Sequence, residues 1–508
     1  SPNLRSAIWR HKAREGQGAL AGQLVVGDVF RGAARAVPDR MAAALGDRSL
    51  TFAELDAAAN AVARALGRRG VDRGRAVALW CATTLESLPV FASLAKLGAV
   101  FVPLNGQWRA DEAAEVLAHV HPVWLVVDSD HADDGRMLGG ELGFDVVTLG
   151  DLARQGSTEA DHDVDVAVSE SDAHVVFYTS GSTGAPKGVV LSNRANVLRS
   201  LPGALLEPRG AMVCPYPLFH MGAWTIALQQ FQARDAVVLV ASASASEIGE
   251  AVERHRATRL NCVPAVWTRL LASPTLAGAR SPDLSSIRFA DTGTSATPPA
   301  LLRRIVTALP DAQVRVFYGS TEAGGVTMLE HADVERKPGS CGVPGPLTTV
   351  RVDDGGRLWV RGPLLFDGYL DDPAATAEAL VDGWYDTGDL AETDHEGYLS
   401  IVGRARDVIR TGGETVSPPE VEAVLASVRG LADVAVVGLP DWEWGEVVCA
   451  VVVVAPGAPA PDLADLRDAC AGKLATYKHP RRLAVVDDIP RTASTGQVQR
   501  RLLVELLG

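Results

Sequence analysis

The chain has 508 residues, 47% hydrophobic and 22% charged, which excludes a disordered protein and calls for two or more domains. Its net charge of -14 excludes broad nucleic-acid binding, so any anionic ligand must be met by a local electropositive site. Six cysteines without Cys-x-x-Cys spacing fit reduced thiols in a cytoplasmic protein, and apolar runs such as residues 447–455 are too short for a membrane span. The polar start Ser1-Pro2-Asn3 carries no signal-peptide pattern.

Thr51-x-x-Glu54 has the form of a capping box. It opens a predicted helix in which Leu55, Ala59, Val62 and Leu66 recur at helical spacing. Strand-like runs follow at residues 77–81, 123–128, 175–179, 236–240 and 314–318, with helical stretches between several of them. That alternation predicts a large α/β region with mostly buried strands. The acidic, histidine-bearing residues 161–165 read as a solvated loop, because no metal-ligand spacing accompanies them. Around Asp353-Asp354-Gly355-Gly356, residues 350–360 predict a hairpin. Composition changes over residues 403–419, rich in Gly, Arg, Thr and Pro. Beyond them a helix at 419–428, strands at 434–437 and 447–454, and a helix at 463–474 predict a small unit of about 100 residues.

The strongest chemical signal is Thr179-Ser180-Gly181-Ser182-Thr183-Gly184-Ala185-Pro186-Lys187-Gly188, directly after an apolar strand. Glycines let backbone N–H groups close on phosphate oxygens, hydroxyls add donors, and the lysine adds charge. A flexible linker would not be gripped between two apolar strands. The spacing also departs from the P-loop, which needs Gly-Lys-Ser/Thr leading into a helix.

This segment resembles the phosphate-binding signature of the adenylate-forming superfamily of acyl-CoA synthetases, luciferases and peptide-synthetase adenylation domains. Further motifs stand in that family's order. Tyr318-Gly319-Ser320-Thr321-Glu322 resembles its Tyr-Gly-x-Thr-Glu segment, which implies adenine at Tyr318, phosphate at Thr321 and Mg²⁺ at Glu322, a suitably hard oxygen ligand. Gly293 and Thr294 join the nucleotide-binding set by the same resemblance. Tyr385-Asp386-Thr387-Gly388-Asp389 resembles the ribose-binding motif, with Asp389 accepting from the hydroxyls. Gly403-Arg404-Ala405-Arg406-Asp407 resembles the hinge, with Arg404 reaching the ribose and Asp407 as pivot. The resemblance implies a large multi-subdomain N-terminal α/β domain over 1–404, a hinge at 405–407 and a small mobile α+β C-terminal domain over 408–508.

Pro217-Leu218-Phe219-His220 resembles the acyl-CoA synthetase branch and lacks the aspartate that amino-acid-activating domains place there. His220 would lie by the acyl group, or be a buried histidine satisfied by a core hydrogen bond. Met221, Trp224, Ile226, Val263 and Val266 suit either a pocket for a hydrophobic acid or ordinary core. Thr411-Gly412-Gly413-Glu414 resembles the loop that lines the pantetheine tunnel, where a missing side chain admits a thin thiol arm; a glycine-rich lead-in to a helix is the other reading. Lys478, in Tyr477-Lys478-His479-Pro480, meets a CoA phosphate or is a solvated surface lysine.

One position departs from the family. A Gly-Lys pair is expected near the C-terminus, and this chain has Gly496-Gln497, with one extra residue in the preceding loop and no lysine after Lys478. In the family's first step a carboxylate attacks the α-phosphate of ATP, and an ammonium offsets the repulsion of the two anions. Glutamine donates hydrogen bonds but carries no charge. The second step, attack of the CoA thiol on acyl-AMP, does not need that lysine. The expectation is a ligase that forms acyl-CoA from an acyl-adenylate and CoA, impaired in the ATP-dependent step. The partners expected are a small-molecule carboxylic acid or its acyl-adenylate, CoA, and a separate adenylating enzyme that could supply the acyl-AMP. The alternatives are a complete ligase carrying an engineered Lys-to-Gln substitution, a non-catalytic sensor of AMP or acyl-AMP and, with least support, luciferase-like oxidation.

Overall fold

A computed structural model of the chain describes residues 23–179, 186–205, 207–276, 281–492 and 496–507. Thr51 and Glu54 form the expected reciprocal cap, and the helix Phe52–Gly67 buries Leu55, Ala59, Val62 and Leu66. The fold is mixed α/β, with a large N-terminal domain and a small C-terminal one.

Two large sheets build the N-terminal domain. The first has seven strands, in the order Gly368–Tyr369, Lys187–Ser192, Ala173–Thr179, Val100–Leu104, Ala76–Trp80, Trp124–Val127 and Asp145–Thr148. The second has nine strands, and its centre runs Gln313–Ser320, Phe289–Gly293, Arg259–Cys262, Met212–Cys214 and Val237–Leu239. The predicted runs at 77–81, 123–128, 175–179, 236–240 and 314–318 all fall on strands of these sheets. Their centres are buried on both faces, as near-continuous apolar runs require.

The helices Ser87–Leu97 and Met221–Ala233 meet in the core, where Phe91 stacks on Trp224 at 4.1 Å with the rings 15° from parallel. Trp224 also donates its indole N–H to the Leu218 carbonyl at 2.6 Å. Trp224, Ile226, Val263 and Val266 are therefore core, while Met221 packs at the edge of that cluster. The acidic stretch at 161–165 is a loop, and Asp163 is not simply solvated: it accepts from Arg31 at 2.7 Å and from fully buried Lys96 at 3.4 Å. Among the described residues no group of three or more His, Cys, Asp and Glu is arranged to hold a metal, and no helix is long and apolar enough to cross a membrane.

A third sheet carries the expected hairpin, Thr349–Val352 against Arg357–Arg361, and continues through Trp384–Thr393 to Leu399–Arg404. The next strand, Ile409–Thr411, begins a fourth sheet. There the alternation of each strand sorts its residues to two sides. Val436, Val448, Ala450 and Val452 pack with Val421, Leu425 and Leu466 from the helices Pro418–Leu425 and Leu463–Cys470. Ala435, Val437, Cys449 and Val451 pack with Leu503 from the last helix, Arg500–Leu507.

Candidate active site

Strand ends from three sheets bring the motif residues together. Thr179 and Lys187 are register partners across the antiparallel strands Ala173–Thr179 and Lys187–Ser192. Ser180, Gly181, Ser182, Thr183 and Gly184 lie outside the described residues. Lys187 holds its ammonium 4.9 Å over the ring of Tyr369, which arrives on the short strand Gly368–Tyr369 paired to the other edge of Lys187–Ser192. The Tyr369 hydroxyl donates to Glu322 Oε1 at 3.1 Å. A cation and a carboxylate thus flank one aromatic ring.

Thr321 and Glu322 sit on the reversal between Gln313–Ser320 and Gly324–Leu329, where the register slips between Tyr318 and Gly319. Arg199 fixes this turn from below. Its guanidinium donates to the Thr321 and Glu322 carbonyls, each at 2.9 Å, and to the Leu364 carbonyl at 2.8 and 2.6 Å. The residue is 5% exposed, and burial pushes its pKa down to about 10, so it stays charged at neutral pH.

Asp389 and Arg404 are register partners on the third sheet and form an ion pair at 2.6 Å. Tyr318 donates its hydroxyl to the other Asp389 oxygen at 2.5 Å, linking the second sheet to the third. Burial lifts the Asp389 carboxyl above its ordinary range, while the Arg404 charge and the Tyr318 hydroxyl favour ionisation.

Thr294 follows the strand Phe289–Gly293 with φ 66°, a left-handed conformation that is strained for a β-branched residue. Strained positions of this kind cluster at functional sites. The Thr294 carbonyl accepts a hydrogen bond at 3.1 Å from Nε2 of Gln497, brought in by the C-terminal domain. The departing residue therefore reaches the same loop as Gly293 and Thr294.

His220 stands at the N-terminus of the helix Met221–Ala233 without capping it. Its Nε2 is buried and finds no hydrogen-bond partner among the described residues, which corrects the reading of a histidine satisfied in the core. Burial pushes its pKa down to about 4, so the ring is neutral at pH 7 and keeps an unspent polar edge.

Gly412 and Gly413 form the turn between Ile409–Thr411 and Glu414–Val416, with φ of 60° and 83°. A Cβ at 412 would come within 2.7 Å of the Trp444 ring, whereas one at 413 would meet open space. In this arrangement Gly413 is required by its backbone angle rather than by a close approach. Lys478 is not a solvated lysine, since its ammonium pairs with both Glu420 oxygens at 2.6 and 2.7 Å. Asp407 donates its backbone N–H to Arg404 at 3.0 Å, and its carboxylate lies 3.5 Å from Arg500, which also pairs with Glu422 at 2.5 Å.

The sequence model of the AMP-binding enzymes matches residues 30–370, and that of the AMP-binding enzyme C-terminal domain matches residues 420–495. The chain belongs to the AMP-binding enzymes. Within them it falls in the acyl-CoA synthetase branch. It is 33% identical over 488 residues to indoleacetate–CoA ligase of Aromatoleum aromaticum, covering 91% of this chain and 94% of that one. It is 35% identical over 497 residues to feruloyl-CoA synthase of an Amycolatopsis species, covering 92% and 97%. Among solved structures, ATP-bound MatB from Rhodopseudomonas palustris superposes with a TM-score of 0.87 at 28% identity, covering 94% of this chain and 98% of that one. Apo MatB superposes with a TM-score of 0.76 over the same coverage.

Two residues of this candidate site escaped the sequence reading. Arg199 lies in an ordinary helix, Asn193–Ser200, and nothing local marks it as buried. Tyr369 is separated from both Lys187 and Glu322 in the chain, and only strand pairing brings it to them.

Proposed function

We propose that this AMP-binding enzyme is an acyl-CoA ligase that hands an acyl group from acyl-AMP to the thiol of CoA and is impaired in making the acyl-AMP from ATP. The observation that carries the reading is the placement of Gln497, whose neutral amide meets the Thr294 carbonyl where the family expects an ammonium. The chain as a whole superposes better on ATP-bound than on apo MatB, which supports the view that Gln497 faces the first half-reaction.

On this reading Asp389 and Arg404 hold the ribose, Tyr318 bounds the adenine, and the Ser180–Gly184 segment with Thr179, Lys187 and Thr321 holds phosphates. Glu322 would hold Mg²⁺: one of its oxygens accepts from Tyr369, and no ion pair is formed among the described residues. The metal, when bound, would supply charge neutralisation to the phosphates. Gly293, Thr294 and neutral His220 border the acyl end, with Gly319 at the turn between the two sites. Residues 405–407 form the hinge, with Asp407 as pivot between the N-terminal domain over 1–404 and the mobile domain over 408–508. Rotation there would withdraw Gln497 and bring Gly412 and Gly413 to the thioester site. That second step starts from an activated mixed anhydride and needs no cation at position 497.

The test separates the half-reactions. Purified protein is assayed for ATP–pyrophosphate exchange with hydrophobic carboxylic acids, and separately for acyl-CoA formation from synthetic acyl-AMP and CoA. The proposal requires weak exchange beside rapid thioester formation. Robust exchange in the unmodified chain would sink it and leave a complete ligase; silence in both assays would leave a nucleotide-binding sensor.

A further inference from the structure

Lys187 and Glu322 carry opposite charges, and both face the phosphate region on the reading above. Without a nucleotide, two such groups gain by closing into an ion pair. They do not do so here: among the described residues neither side chain makes an ion pair. Tyr369 engages both instead, with the Lys187 ammonium 4.9 Å over its ring and its hydroxyl donating to Glu322 at 3.1 Å.

The ring is held firmly enough to act as a spacer. Tyr369 is 8% exposed, its backbone N–H donates to Thr376 Oγ1 at 2.9 Å, and it is the register partner of Val189. Phe366 packs edge-on against the ring at 4.9 Å. The face of the ring attracts the cation while the hydroxyl satisfies the carboxylate, so each charge keeps a weak neutral partner in place of its opposite.

We propose that Tyr369 is a positioning residue that prevents Lys187 and Glu322 from neutralising each other, keeping both open for the triphosphate of ATP and its divalent cation. This rests on the roles proposed above for those two residues. In the absence of the spacer, every incoming triphosphate would first have to break an ion pair. A ligand that lacks the outer phosphates would not.

The measurement is equilibrium binding of ATP without magnesium, of ATP with magnesium, and of AMP, by calorimetry on the full chain. Tyr369→Leu is expected to weaken magnesium-free ATP by about tenfold or more while AMP stays within about twofold. Adding Glu322→Gln to Tyr369→Leu removes the competing carboxylate and should bring magnesium-free ATP back to within about threefold of Glu322→Gln alone. Tyr369→Phe keeps the ring and loses the hydroxyl, so magnesium-free ATP holds within about threefold while the half-saturating magnesium concentration rises about threefold or more. Equal weakening of ATP and AMP in Tyr369→Leu, or no weakening, overturns the proposal. If Tyr369→Leu does not fold, an unchanged magnesium requirement in Tyr369→Phe overturns it instead. Failure of the unmodified chain to bind ATP at all would count against the proposed nucleotide site rather than against the spacer.

Discussion

Replacing Gln497 with lysine returns an ammonium to the contact with the Thr294 loop, where the amide now donates across 3.1 Å. A unit charge about 4 Å from the approaching carboxylate and phosphate is worth roughly 4 kcal/mol at an effective dielectric near 20. Gln497 is exposed in this arrangement, so solvent screening reduces the expected gain to about 2–3 kcal/mol. That corresponds to adenylation about 30- to 150-fold faster. The assay is ATP–pyrophosphate exchange under saturating ATP with one hydrophobic acid, comparing the native chain with Q497K and with the uncharged control Q497M. Thioester formation from supplied acyl-AMP should change by less than about threefold if, as proposed, position 497 takes no part in that step. Exchange in Q497K that stays level with Q497M, in protein still able to consume acyl-AMP, would refute the electrostatic argument.

Arg199→Met leaves the Thr321, Glu322 and Leu364 carbonyls without their buried donor and should cost about 3 kcal/mol or more, read by urea unfolding. Gly412→Ala forces a left-handed residue and pushes a Cβ toward Trp444, so it should destabilise more than Gly413→Ala, which carries only the backbone cost of about 1–2 kcal/mol. Burial pushes the pKa of His220 down to about 4 and that of His174 to about 3, below the unfolded value. The unfolded chain therefore binds their protons first, and stability present above pH 6.5 is lost as pH falls toward 4, by up to about 1.4 kcal/mol per pH unit for each ring. His220→Gln should flatten that slope in urea titrations between pH 7 and 4.5; an unaltered slope would show that His220 is not the titrating group.

Local chemistry made much of this molecule legible. The cap at Thr51 needs only Glu54 three residues on, and the helix it starts needs only apolar spacing, so both could be read without the fold. The hairpin around Asp353 and the Val-rich strands of the C-terminal domain were readable for the same reason. The contiguous motifs, from Lys187 to Asp389, were likewise visible. What local pattern could not distinguish was pocket from core: Trp224 has the same apolar spacing in either case, and only the stacked Phe91 decides it. Lys478 and His220 were ambiguous because a partner such as Glu420, or the lack of one among the described residues at a buried Nε2, depends on residues far along the chain.

The sequence by itself determined the family, the order of the motifs and the neutral side chain at position 497, because each is a property of residue identity along the chain. The tertiary structure alone decided that Gln497 meets Thr294, that Arg199 braces the Thr321–Glu322 turn, and that Tyr369 touches both Lys187 and Glu322. Those are contacts between distant segments. Electrostatic and hydrogen-bond energies fall off over a few ångströms, so they exist only once strand pairing has set the distances.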